Sequence, residues 1–171
     1  MASKAKNVPP PTGWRRHLFR APVQLYRWHL GWVLGGRFCL LGHTGRISGQ
    51  PRQVVLEVVD RDPATGQCVV ASGFGPTSQW YRNICDSPRV TLQIGRRRTP
   101  ATALALAPPE SGQAMARYAQ EHPRAARRLM GLCGITTDAS PDDYYRVGHD
   151  FIPFAEIIPV AGAKEQARRG P

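Results

Sequence analysis

The middle of the chain is written in short strands. Arg89–Ile94 (RVTLQI) alternates apolar and polar residues with period two, the mark of a half-buried strand. Gln53–Val59 (QVVLEVV) is rich in β-branched residues, and Phe38–Gly42 is a compact apolar run. Cys68–Ala71 follows a DPATG turn at residues 62–66, which predicts a hairpin with the strand before it. Thr99–Leu106 follows GRRR at residues 95–98 and predicts a second hairpin. Phe154–Val160 (FAEIIPV) reads as the last of six strands.

Helical spacing interrupts this pattern. In residues 14–34 the apolar positions Leu18, Leu25, Trp28 and Trp32 fall near helical spacing with Arg15, Arg16, Arg20 and Arg27 between them. This segment fits either a helix capping one end of the core or a basic, aromatic helix lying on a membrane surface. Residues 77–87 predict a short helix with Thr77 or Ser78 as N-cap and Pro88 as its stop. Residues 109–133 predict helix broken near His122–Pro123, and residues 141–147 a last turn or two. Hairpins with few, clustered helices indicate a mainly β (α+β) domain, a six-stranded antiparallel barrel with an N-terminal helix and a helical insertion before the last strand. Residues 1–13 read as a flexible arm, 14–163 as one domain and 164–171 as a flexible tail.

Composition narrows the class. The 171 residues carry 23 Lys+Arg against 12 Asp+Glu, a net charge of +11, and only Lys4, Lys6 and Lys164 are lysines. Arginine favours forked contacts to phosphate and carboxylate, so an anionic partner is expected. The arginines are scattered over loops and helices, which argues against nucleic acid. Four separate cysteines without a CxxC pair read as reduced, mostly buried thiols of a cytoplasmic protein. No histidine pair has HxxxH spacing, so no metal site is expected. No stretch of about 18 apolar residues predicts a membrane span.

Two stretches carry candidate chemistry. Residues 40–53 (LLGHTGRISGQPRQ) form a connection too long and polar for a tight hairpin. Gly45 and Gly49 can turn backbone N–H groups toward one point, flanked by Arg46 and Arg52 with the hydroxyls of Thr44 and Ser48. Such a loop suits a phosphate or carboxylate, though a strand connection of this composition is also an ordinary turn. In residues 70–83 (VASGFGPTSQWYRN) a strand runs through a Gly-Phe-Gly loop into a helix start, which suits a flat ring with polar edges. Phe74 and Trp80 offer an apolar wall there, or core anchors.

Taken in order, HTGRISGQPR (43–52), VVASGFG (69–75), WYRNI (80–84) and SPRVTLQIG (87–95) resemble the deazaflavin-dependent nitroreductase family. The resemblance covers residues 30–107 and the closing strand. It implies a split β-barrel of the FMN-binding kind and a site for the 8-hydroxy-5-deazaflavin coenzyme F-420, whose phosphodiester and oligoglutamate tail are acidic. By matching positions, Arg46, Ser48, Gly49, Gln50, Pro51 and Arg52 inherit the phosphate side. Val55, Leu56 and Glu57 would pass along the ring. Ala71, Ser72, Gly73 and Phe74 would meet its edge, with Trp80 and Asn83 behind. Ile47 and Gly73 stand where many relatives have lysine, and Glu57 where some have tyrosine. Arg37, Arg82, Arg96, Arg97 and Arg98 are candidates to compensate for the missing cations.

The resemblance implies a reductase that passes a hydride from the reduced coenzyme to an electron-poor quinone, enone or nitroaromatic ring. Tyr144 and Tyr145 are candidate proton donors, because the segment before the last strand lines the substrate pocket in relatives. The alternatives are an FMN or FAD oxidoreductase on the same barrel, or a cofactor- or lipid-binding carrier without turnover. A monomer and a homodimer are both compatible with the sequence. The expected location is cytoplasmic, with a peripheral contact at the inner face of the membrane through residues 14–34.

Overall fold

The computed structural model describes residues 37–160. The expected arm, the helix over 14–34 and the tail over 164–171 lie outside the described residues. The element order is β1 (Phe38–Thr44), β2 (Pro51–Arg61), β3 (Cys68–Ala71), α1 (Gln79–Asp86), β4 (Arg89–Ile94), β5 (Arg97–Ala105), α2 (Pro108–Glu121), α3 (Pro123–Cys133), α4 (Pro141–Asp150) and β6 (Phe154–Pro159). The six strands close into an antiparallel barrel in the order β1-β2-β3-β6-β5-β4. The strand reading and the break at His122–Pro123 both hold.

Alternation decides what faces the barrel interior. Leu41, Leu56, Val70, Val90, Leu92, Ala101, Ala103 and Ile157 form one buried cluster with Cys39 and Cys68. Helix α1 adds Trp80 and Ile84 to that cluster. The opposite faces of β2, β3 and β6 carry Val59, Val69, Ala71 and Phe154, which pack under α2, α3 and α4 with Met115, Tyr118, Met130 and Val147. The barrel therefore has a core inside and a second core between its outer wall and the helices. Cys39, Cys68 and Cys133 are buried and Cys85 is exposed. Among the described residues no helix is long and apolar enough to cross a membrane.

Three boundaries differ from the sequence reading. The connection expected over 40–53 is a hairpin of residues 45–50, because β1 and β2 stay paired out to Thr44↔Pro51. Backbone pairing continues there although the side chains turn polar. The second hairpin is tighter than GRRR suggests: Ile94 pairs with Arg97, so Gly95 and Arg96 alone make the turn. Gly95 has φ 59°, which a β-carbon would disfavour. Residues 141–150 form a full helix instead of a turn or two, capped by the Ser140 side chain accepting from the Asp143 N–H.

Helices α2 and α4 cross at glycines. A Cβ on Gly148 would lie 2.3 Å from the Ser111 carbonyl oxygen and 2.6 Å from Met115 Cβ. A Cβ on Gly112 would lie 2.7 Å from the Tyr145 ring. Gly148→Ala is expected to destabilise the fold by about 1–3 kcal/mol through overpacking. Urea denaturation checks this, and an unchanged midpoint would refute the close approach of the two helices.

Candidate active site

The two glycine-bearing connections meet at one end of the barrel. The β1–β2 hairpin and the segment from Phe74 into α1 line a cavity of about 630 Å³. Arg46, Ser48, Arg52, Phe74, Trp80 and Asn83, all expected at the site, line it. His43, Ile47, Val54 and Gln79 line it as well. Ile47 is 87% and Phe74 40% exposed, so the cavity presents apolar surface beside two guanidinium groups.

Asn83 ties the two connections together. Its Oδ1 accepts from the Arg46 backbone N–H at 3.1 Å and from Arg46 Nη1 at 3.3 Å. Arg46 Nη1 also donates to Gln79 Oε1 at 2.8 Å. With Oδ1 so occupied, the Asn83 amide nitrogen lies 3.1 Å from His43 Nδ1 and donates to it. His43 therefore accepts at Nδ1 and is neutral. Burial, with a smaller push from the charge of Arg52, lowers its pKa.

The hairpin does not offer the cluster of backbone donors that its glycines suggest. The Gly45 N–H donates to the Gln50 carbonyl (2.9 Å) and the Gly49 N–H to the Gly45 carbonyl (2.7 Å). The Gln50 N–H faces Ser48 Oγ at 3.4 Å. These bonds fold the loop onto itself, with Gly49 at φ 63°. The N–H groups of both glycines are therefore taken, and the cations facing this cavity are Arg46 and Arg52. Arg52 makes no hydrogen bond or ion pair among the described residues, whereas Arg46 is already held in place.

Several expected site residues lie elsewhere. Thr44, Gly49, Gln50 and Pro51 belong to the hairpin or its strand ends and do not line the cavity. Leu56 faces the barrel interior and Ala71 the core beneath the helices. Val55 is half-buried on β2 between two cavities. Ser72 is buried; its hydroxyl bonds the Gly75 carbonyl at 2.8 Å and Ser78 Oγ at 2.9 Å, and its N–H bonds the Pro153 carbonyl. A Cβ on Gly73 would meet Cys133 Sγ at 3.2 Å, so this position faces α3. Tyr144 is buried among the helices, and Tyr145 stacks on His149 with ring centroids 5.9 Å apart; neither lines the cavity. Arg97 lines a cavity at the other end of the barrel, too far away to compensate.

Glu57 lines a second cavity of about 690 Å³ on the outer face of β2, with Arg37, Tyr118, His122, Arg124 and Arg128. Its Oε1 accepts from Arg37 Nη2 at 2.9 Å, Arg37 Nε at 3.1 Å and the Tyr118 hydroxyl at 3.1 Å. Burial, reinforced by the Glu57 charge, pushes the Tyr118 phenol up to about 12. Sequence reasoning missed this group because its members come from separate elements. The one signal available was the carboxylate Glu57 within the otherwise apolar run of residues 54–59.

The profile of a family described as F420H(2)-dependent quinone reductase matches residues 18–132. A solved structure described as an FMN-binding protein related to pyridoxamine 5'-phosphate oxidase, from Nostoc punctiforme PCC 73102, is 15% identical. It covers 89% of this chain and 84% of its own with a TM-score of 0.54, and it shares the split-barrel fold. A structure described as an F420-H2 dependent reductase is 23% identical and covers 71% of this chain and 93% of its own, with a TM-score of 0.48. No curated protein matches the sequence.

Two outcomes test this geometry. Asn83→Leu leaves the Arg46 N–H without its acceptor and is expected to cost about 1–3 kcal/mol in urea denaturation. The lowered pKa of His43 means that the unfolded chain takes up a proton first on acidification. Stability is therefore complete above about pH 6.5 and falls as pH drops through that value toward the folded pKa. Denaturation midpoints between about pH 5 and 7 are expected to lose part of their slope in His43→Leu; identical slopes would rule out a neutral buried imidazole.

Proposed function

The chain belongs to the F420H(2)-dependent quinone reductase family, and on that footing we propose that it binds coenzyme F-420 at the hairpin cavity and reduces a quinone-type acceptor. The carrying observation is the convergence of Arg46, Arg52 and Ser48 with the apolar surfaces of Ile47, Phe74, Trp80 and Val54 on one cavity. That donor set suits an anion joined to a flat ring. Arg52 supplies an unpaired fork for a phosphate, and Arg46 a guanidinium already oriented by Gln79 and Asn83. Phe74 and Trp80 keep water from one face of a ring seated there. The coenzyme, when bound and reduced, supplies a hydride, and the protein's part is position and electrostatics. Enones and nitroaromatic rings are further electron-poor acceptors for the same chemistry.

The neutral His43 adds no charge to a site that must hold an anion, so the cationic character of the cavity rests on the two arginines. Ile47 is the residue best placed to change affinity, because its side chain projects at the cavity rim without protein cover. Gly73, in contrast, is closed off by Cys133 and Leu129.

Spectroscopic titration of the protein with F-420, FMN and FAD tests this reading. F-420 is expected to bind, and its reduced form to be oxidised in the presence of menadione. Arg52→Ala is expected to weaken its binding by about 1.5–3 kcal/mol, and Ile47→Lys to strengthen it. Preferential binding of FMN or FAD would replace the deazaflavin reading. Binding of F-420 without turnover would make the protein a carrier. Unchanged affinity in Arg52→Ala would move the phosphate away from the hairpin.

A further inference from the structure

The second cavity has its own charge balance. Three arginines, Arg37, Arg124 and Arg128, line it against one carboxylate, Glu57. Arg37 is spent on Glu57 through two hydrogen bonds, and Tyr118 donates to the same carboxylate oxygen. Arg124 and Arg128 stand one turn apart on α3, exposed, and among the described residues neither makes a hydrogen bond or ion pair. Two like charges at this spacing repel, and no carboxylate among the described residues pairs with either. The rest of the lining is apolar or aromatic: Val58, Pro123, Ala125 and the edge-on pair Tyr118 and His122, with centroids 5.5 Å apart.

From this arrangement we propose that the cavity between the outer face of β2 and the α2–α3 junction is a second binding site, for an organic anion that carries a carboxylate or sulfonate on a flat apolar body. Arg124 and Arg128 take the anion, and the Tyr118–His122 wall takes the ring. Glu57, held by Arg37 and Tyr118, sets a negative limit on the opposite side that fixes which end of the ligand enters. Gln53 at the hairpin cavity and Glu57 at this one are four residues apart on β2, roughly 13 Å of strand. If the reductase reading above holds, an acidic acceptor bound here lies along the same strand as the coenzyme. The acidic tail of the coenzyme offers the same anionic chemistry, and the experiment separates the two sources.

The test is calorimetric titration of the full chain, without coenzyme, by anthraquinone-2-sulfonate and by uncharged 2-(hydroxymethyl)anthraquinone. The double variant Arg124→Gln/Arg128→Gln is expected to bind the sulfonate about tenfold or more weakly and the uncharged ring within about twofold of the parent. Glu57→Gln is expected to tighten sulfonate binding, because it removes the opposing charge and releases Arg37. Arg89→Gln, an exposed change on β4, is expected to have no effect. Arg124 and Arg128 are exposed and make no hydrogen bond or ion pair among the described residues, so the double variant alone decides the question if Glu57→Gln fails to fold. Sulfonate affinity unchanged in the double variant, or lowered equally by Arg89→Gln, overturns the proposal. Titration with F-420 then identifies the source. A matching loss in the double variant assigns the site to the coenzyme's tail, and no loss assigns it to an acceptor; both uphold the site. Since the first titration contains no coenzyme, its result stands apart from that of Arg52→Ala.

Discussion

One buried amide sets the geometry of the candidate site. Asn83 sits on α1 within the barrel end, and its two polar ends reach the β1–β2 hairpin at Arg46 and the end of β1 at His43. An amide buried this deeply must satisfy both ends, so the hairpin cannot swing away without leaving a donor or acceptor unpaired. The position of α1 is fixed in turn by Trp80 and Ile84, which enter the barrel core. The cavity thus inherits the rigidity of the barrel interior, although its walls are connecting segments. Its cations are arranged in the same way: Arg46 is oriented by α1, and Arg52 is left to meet a ligand.

The outer face of β2 organises the rest. Strand alternation sends Leu56 inward and Glu57 and Val59 outward, so Val59 joins the core under the helices. Two cavities consequently open along one strand, separated by half-buried Val55. One is closed by α1 and the other by the kink at His122–Pro123, where α2 ends and α3 begins. The helical layer does more than cover the barrel. It occupies the space beside Gly73 with Cys133 and Leu129, and it brings Tyr118 to Glu57. The α3 arginines Arg124 and Arg128 and the Arg37–Glu57–Tyr118 group lie in the second cavity.

Much of the barrel was legible along the chain because strand pairing follows local alternation and turn chemistry. RVTLQI, the DPATG turn and the strand after it could be read without knowing their neighbours, and so could the helix break before Pro123. The reading was weaker where size misleads. Ala101 and Ala103 fill the narrow barrel interior, while Leu104, the next residue, is 46% exposed. Of the candidate site, Arg46, Ser48, Arg52, Phe74, Trp80 and Asn83 were all recognisable, since each lies in one of two short segments with a chemical signature. Tyr144 and Tyr145 were drawn from family position alone, and the fold packs both against other helices.

By itself the sequence determined the strand set, the two glycine-bearing connections and the surplus of arginine, because each is a local or additive property. Only the tertiary structure decided which donors remain available. The Gly45 and Gly49 N–H groups are consumed by their own loop, Ser72 by its neighbours, Arg46 by α1 and Arg37 by Glu57. Hydrogen-bond capacity is finite and is allotted by contacts between residues far apart in the chain, so no reading of residue types could say that, among the described residues, Arg52, Arg124 and Arg128 are the cations lining the two cavities that are left without a partner.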